Sequence, residues 1–469
     1  MKKVRQSYYL IGIRIGCLLL ALISISGRVN AQADTVIVHT YGGGAFEEMK
    51  QIIACSSGGY LMCGTTGSAD GLSTDMYLVR TDDSLNCLWN LVIEEPGSEW
   101  GTGVVEYEDD VFYICGFSNS EDVGGYDVLV ANIDLEGNLV WKQPFGGEDW
   151  DFSNQIIRHP NGGLVVAGRT YSFGSGSSDG FLLHVSANGD LVNQWVYGGA
   201  NDDAFTDLIW SPQGLLVCGY ITTGELRKAV VWKMNSNWGE IDWMHVVTDD
   251  VHAYEATAIS VDDEYIYLTG NRDSDQFTFG FAERLSYLGN SEMWSSTPLD
   301  NSYYYYDIAP SPSGFFAVGS QGAFGEGGFY AMLFEFTDFG GYEGGFYYGQ
   351  GADDRFQSVI VQNGDLVFCG ALQTEPNQWQ GMAMLHAREV YDNNNIMDPD
   401  HQECLTVGIP ESVNDPLKVE GEYAVFLGTG QLIAVGYTEN VFNLDLSLSP
   451  GFYIIHLKDV GYVRKVIVY

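Results

Sequence analysis

The stretch Leu164-Val165-Val166-Ala167-Gly168 decides the fold, because the chain writes near-copies of it six more times. They end at Gly64 (Leu-Met-Cys-Gly), Gly116 (Tyr-Ile-Cys-Gly), Gly219 (Leu-Val-Cys-Gly), Gly270 (Tyr-Leu-Thr-Gly), Gly319 (Phe-Ala-Val-Gly) and Gly370 (Val-Phe-Cys-Gly). Successive glycines stand 52, 52, 51, 51, 49 and 51 residues apart, a regularity that marks a repeat architecture. The third repeat predicts an inner strand around Asn154 to Arg158, a turn at Pro160-Asn161-Gly162-Gly163, the marker strand, a long loop and a strand from Gly180 to Val185. A turn at Ala187-Asn188-Gly189 then leads into a last strand around Trp195. Asn and Gly fill these turns because they tolerate the positive φ of tight hairpins. Apolar runs without clean alternation suit strands covered on both faces. The last strand repeats an aromatic (Trp89, Trp141, Trp195, Trp243, Trp294 and Phe346), which is expected to pack between neighbouring repeats. Seven four-stranded antiparallel blades arranged radially make an all-β, seven-bladed β-propeller.

The two ends predict how the ring closes. After the third strand of repeat 7 (Met382 to Ala387) no fourth strand follows, whereas Thr35 to Gly43 matches the end of a repeat, as in Gln194 to Gly199. The N-terminal strand is therefore expected to complete blade 7. The propeller spans residues 32–392; an Asn/Asp-rich linker covers 393–409 and a second unit, read as a small β-sandwich, covers 410–469. Its expected strands are Tyr423 to Leu427, Gln431 to Val435, Phe442 to Leu446, Phe452 to Leu457 and Tyr462 to Val468.

Residues 1–31 carry Lys2, Lys3 and Arg5, then an apolar run from Ile15 to Ile25, then Val29-Asn30-Ala31, the order of a signal peptide cleaved between Ala31 and Gln32. No other apolar run is long enough to cross a bilayer. Formal net charge is −41, which argues against nucleic acid or an anionic membrane as partner and for solubility, cation attraction or a basic partner. Of eight cysteines, Cys63, Cys115, Cys218 and Cys369 precede a marker glycine, where Ala167, Thr269 and Val318 stand in other repeats; that interchange describes a small buried strand residue. Pairing among Cys55, Cys87 and Cys404 stays open.

The tail carries Val425 to Ile433, then Leu446-Ser447-Leu448-Ser449-Pro450-Gly451-Phe452-Tyr453-Ile454, then Lys465-Val466-Ile467-Val468. It resembles the C-terminal sorting domain of type IX secretion cargo; Asn414-Asp415-Pro416 stands about where that family has Asn-Pro. The resemblance implies contact with the type IX machinery and an extracellular or outer-membrane address in a Gram-negative bacterium. The repeats, with Tyr-Gly-Gly, acids and an Asn-Gly-Gly-type turn, resemble bacterial delta-60-type propeller repeats, which imply a fold but no activity.

Known propeller chemistries leave no mark. The Ser-x-Asp-x-Gly-x-Thr-Trp turn of sialidases is missing, and Asp134 to Trp141 only approaches the quinoprotein motif. A hairpin turn accounts for it. The one local set of candidate metal ligands is His245, Asp249 and His252, with Asp250 and Glu255 nearby, against the reading of an exposed acidic loop. No catalytic residue, resident metal or cofactor is assigned; carboxylates of this kind suit calcium or a basic protein patch. Acids recur in the loops between blades, among aromatics. From these Trp100, Trp150, Asp203, Tyr254 and Asp354 are expected on a ligand-binding rim, while an acid repeated in most blades equally suits a turn cap. The expectation is a monomeric, exported, non-catalytic propeller that binds a glycan or a protein; the alternatives are a glycan-active hydrolase or lyase at the channel mouth and a purely structural envelope component.

Overall fold

The computed structural model describes residues 36–386 except 43–45, 68–72, 109–110, 121–124, 275, 298–300, 323–327, 350–352 and 376–377, and the backbone of residues 421–427, 432–438, 451–457 and 462–468. The signal segment with its cleavage point, the linker, Cys404 and the expected strand Phe442 to Leu446 lie outside the described residues. Those described contain no helix, and hence none long and apolar enough to cross a membrane.

Seven four-stranded antiparallel sheets form a ring, a seven-bladed β-propeller. Blade 3 runs from its inner strand Asp151–Arg158 through Leu164–Thr170 and Asp179–Val185 to its outer strand Leu191–Tyr197. Blade 7 takes three strands from the end of the propeller (Arg355–Gln362, Asp365–Glu375, Gln378–His386) and its outer strand, Val36–Tyr41, from the beginning. Val36 pairs with His386 and Tyr41 with Gly381, so the ring closes as the sequence predicts. A second bond across that seam is ionic. Glu48, 3% exposed in blade 1, lies 3.2 Å from Arg355 Nε of blade 7 and accepts from Gln357 Nε2 at 2.6 Å.

The core is divided seven ways. Buried apolar side chains sort into clusters that each lie between two adjacent blades. The marker strand shows why: Val165 and Ala167 join the cluster toward blade 4, and Leu164 and Val166 the one toward blade 2. A strand buried on both faces has no use for alternation. Cys63, Cys115, Cys218 and Cys369 are fully buried in such interfaces, and burial raises each thiol. Cys55 is also buried, and Cys87 is exposed.

Every inner strand carries a β-bulge, with the extra residue at Lys50, Thr102, Asn154, Thr206, Thr257, Tyr306 and Gln357. Bulges bend and twist a strand locally, here at the axis where the blades converge. They also explain the marker glycine. In all seven blades a Cβ at that glycine would collide with an inner-strand carbonyl next to the bulge, such as Phe152 O at Gly168. The bulged residues also tie each blade to the next: Asn154 Nδ2 donates to Phe205 O (2.6 Å) and Thr206 Oγ1 to Ala256 O (2.8 Å).

Among the described tail residues, Gly421–Leu427, Leu432–Thr438, Gly451–Leu457 and Tyr462–Val468 form one four-stranded antiparallel sheet in which the first strand pairs with both the second and the third.

Candidate functional site

The outer strands create the site by a one-residue displacement. Trp89, Trp141 and Trp243 lie opposite Arg80, Asn132 and Lys233 of the neighbouring strand. Each then covers the third hairpin of the next blade: Cβ atoms at Gly137, Gly189 and Gly289 would meet Trp89 (2.8 Å), Trp141 (3.1 Å) and Trp243 (2.8 Å). These glycines have φ of 84°, 90° and 79°, so turn and tryptophan form one packing unit. Trp195 stands two places further on, on the same face of its strand, and packs on Trp238 at 5.0 Å.

Trp294 breaks the series. The place opposite Arg284 belongs to Met293, and Trp294 pairs with Glu283. A shift of one residue sends a side chain to the other face of its sheet. The expectation that Trp294 packs like its counterparts is thus corrected: Met293 approaches Gly340 of blade 6 (2.5 Å from a Cβ there), while Trp294 is 43% exposed and stacked on Phe281 (5.0 Å, 11°).

Trp294 faces blade 4 and lines a pocket of about 440 Å³ between blades 4 and 5. Its polar wall brings together His245, Asp249, Tyr254, Arg272 and Glu283. His245 Nε2 lies 3.1 Å from Glu283 Oε2. Asp249 Oδ2 contacts His252 Nδ1 (2.7 Å) and accepts from the Tyr254 hydroxyl (3.2 Å), with Arg272 Nη1 at 4.0 Å. Burial opposes ionisation of Asp249, but the His252 and Val251 amides and the His252 ring hold its carboxyl well below the usual range. The Arg272 guanidinium lies over Phe279 (4.9 Å), and its buried Nε has no hydrogen-bond partner. The pocket therefore offers an aromatic face beside carboxylate acceptors and a guanidinium, a combination suited to a polyhydroxylated ring.

The residues expected on a rim divide three ways. Tyr254 is 4% exposed and belongs to this pocket. Asp203 and Asp354, 3% and 1% exposed, face inward: Asp203 accepts from the Gly199 and Thr222 amides (2.6 and 2.7 Å) and Asp354 from the Gln373 amide (2.9 Å). The repeated acid ties the loop between blades to the next strand and is closed to a large ligand. Trp100 and Trp150 belong to a chain of aromatic contacts running through Trp379, Phe46, Trp100, Phe117, Phe152 and Trp150 across blades 7, 1, 2 and 3. Trp150 is half exposed. The three suggested metal ligands separate, His245 toward Glu283 and Asp249 toward His252, and among the described residues no group of three or more His, Cys, Asp or Glu is placed to share a metal ion.

The channel wall holds two further carboxylates. Asp207 accepts from the Leu208 and Ile259 amides (2.8 and 2.9 Å) and Asp307 from the Ile308 and Val359 amides (2.8 and 2.9 Å), each thereby joining its blade to the next. Burial pushes Asp207 up to about 7 and Asp307 up to about 6, with the Asp307 charge adding to the rise at Asp207.

Neither Trp294 nor the channel acids were anticipated. Parity reveals the first: Trp89, Trp141, Trp195 and Trp243 stand an odd number of residues after the last polar turn residue (Asn86, Asn138, Asp190, Glu240), and Trp294 an even number after Asn290.

No protein-family model and no curated protein matches the chain. Among solved structures it is similar to Chaetomium thermophilum Sqt1 bound to the N-terminus of the ribosomal protein L10, at 14% identity and a TM-score of 0.42, over 72% of this chain and 86% of that one. The β-propeller domain of the trilobed protease from Pyrococcus furiosus is similar at 10% identity and a TM-score of 0.43, over 76% and 99% of the two chains. An acylaminoacyl peptidase in complex with Z-Gly-Gly-Phe-chloromethyl ketone is similar at 11% and 0.43, over 74% and 53%.

Proposed function

We propose that this chain is an exported, non-catalytic binding propeller whose ligand is a glycan held between blades 4 and 5. The observation that carries the reading is Trp294, turned out of the packing series to become an exposed stacking face beside Asp249, Arg272 and Glu283. Aromatic faces bind the apolar side of a sugar ring while charged groups take its hydroxyls. Export rests on the charged, apolar and small-residue order of residues 1–31, and sorting to the cell surface or beyond on the Leu446 to Ile454 run with its terminal Lys465-Val466-Ile467-Val468. A screen of the purified chain against glycans and polysaccharides tests the proposal. Binding that disappears in Trp294→Ala supports it; a chain that binds no member of the screen does not.

A second reading, a glycan-active hydrolase at the channel, draws on the raised carboxyls of Asp207 and Asp307, the kind of pair such chemistry uses. Against it, each carboxylate already receives two backbone amides. Release of reducing ends from the same polysaccharides, lost in Asp207→Asn, would favour the hydrolase.

A further inference from the structure

The loops between the first blades bury carboxylates in pairs. Asp179, which opens the third strand of blade 3, and Asp203, which precedes the inner strand of blade 4, are 1% and 3% exposed. Asp179 Oδ1 and Asp203 Oδ2 converge on Gly198, where both would crowd a Cβ. Asp127 Oδ1 and Asp151 Oδ2 converge in the same way on Gly146 one junction earlier, and Asp75 and Glu99 are buried at the junction before that. At the place of Asp75, Asp127 and Asp179, blades 4 to 7 carry Lys228, Phe279, Tyr330 and Gln380, so the pairs are confined to three successive junctions.

One carboxylate at each junction keeps an idle oxygen. Asp179 Oδ1, Asp151 Oδ1 and Glu99 Oε2 are buried without a hydrogen-bond donor, although the other oxygen of each carboxylate accepts one or more. Among the described residues, none of Glu99, Asp151, Asp179 and Asp203 has a Lys or Arg ion pair. Two adjacent carboxylates removed from water, one with an idle oxygen, call for a positive charge between them. At the junction of blades 3 and 4, the Gly199 and Asn201 carbonyls both border Gly176, whose amide donates to Asp179 Oδ2.

We propose that the junctions between blades 1 and 2, 2 and 3, and 3 and 4 are calcium sites, each holding the ion between two buried carboxylates (Asp75 and Glu99, Asp127 and Asp151, Asp179 and Asp203) and neighbouring loop carbonyls. Calcium accepts six to eight oxygens in flexible geometry, so a two-carboxylate site completed by carbonyls and water falls within its range. The ion bridges two blades at each site and ties the first four together; the later junctions do without it.

Calcium titration of the purified, chelator-treated full chain, by calorimetry and by thermal unfolding, tests this. The expected result is calcium uptake with a Tm raised by several degrees over the stripped protein, and one site fewer in each of Asp179→Asn, Asp151→Asn and Glu99→Gln. These near-isosteric amides keep an acceptor oxygen, and circular dichroism shows whether each variant folds. Magnesium, which demands stricter geometry, is expected to substitute poorly. Absence of calcium uptake by the folded wild-type chain overturns the proposal. So does uptake that all three variants retain in full. A Tm that rises as the pH is lowered, with no calcium bound, would put a shared proton in the ion's place.

Discussion

Trp243 and Trp294 sit in the outer strands of adjacent blades and read alike in the sequence, yet one is part of the scaffold and the other of a pocket. Trp243 closes over Gly289 of the next blade, where φ is +79° and a Cβ would stand 2.8 Å from the indole. Trp294 lies one place along its strand, on the opposite face, 43% exposed. In a propeller both faces of a blade are interfaces, so parity within a strand decides which neighbour a side chain meets. The repeat supplies the framework, and departures from its register supply chemistry.

That contrast can be broken by mutation, beginning with the framework. Gly168→Ala places a methyl group against the Phe152 carbonyl at the bulge, and backbone cannot yield as a side chain can. A loss of more than about 3 kcal/mol is expected in chemical denaturation, enough to prevent cooperative folding. If Gly168→Ala unfolds like the wild type, the bulge does not account for the marker glycine. Trp243→Ala removes the indole from its interface and should cost about 3 kcal/mol, the usual loss for a large aromatic core side chain. Gly289→Ala should cost about 1–2 kcal/mol through strained φ and contact with that indole. Gly239→Ala, with nothing within 4 Å of its Cβ, is the matched control and should unfold at the wild-type denaturant midpoint.

The channel acids sharpen the same point through pH. Asp207 and Asp307 titrate near 7 and 6 in the folded chain, above their ordinary 3.8. A raised carboxyl contributes stability fully below its unfolded value, and that contribution is lost as pH rises through the folded one. Between about pH 4 and pH 7 the wild type should therefore lose on the order of 6 kcal/mol, summed over the two carboxyls, that the double variant Asp207→Asn/Asp307→Asn does not lose. Denaturant midpoints of both proteins across that range check it, and parallel slopes would contradict it. Trp294→Ala should cost only about 1 kcal/mol, because the indole is partly exposed and packs mainly on Phe281.

Much of the framework was legible from the sequence, because every element of it is repeated. Seven markers at a near-constant period gave the blades, and the match between Thr35 to Gly43 and Gln194 to Gly199 gave the closing strand. The role of the marker glycine was not legible: it answers a bulge in another strand, and bulges have no composition of their own. Trp100 and Trp150 stand in one aromatic chain that crosses several blades, contacts between distant residues that their sequence positions do not show. Asp203 and Asp354 went inward because a carboxylate that recurs at one place serves the turn that recurs with it. The pocket partners His245 and Glu283 lie on different blades, 38 residues apart, and no local pattern joins them.

The most direct test compares glycan binding and unfolding for Trp294→Ala and Trp243→Ala, each against the wild-type chain, by calorimetric titration and denaturant melts. Trp294→Ala is expected to lose binding at least tenfold at a stability cost of only about 1 kcal/mol, and Trp243→Ala to be strongly destabilised yet to bind where it remains folded. Undiminished binding by Trp294→Ala would contradict that expectation.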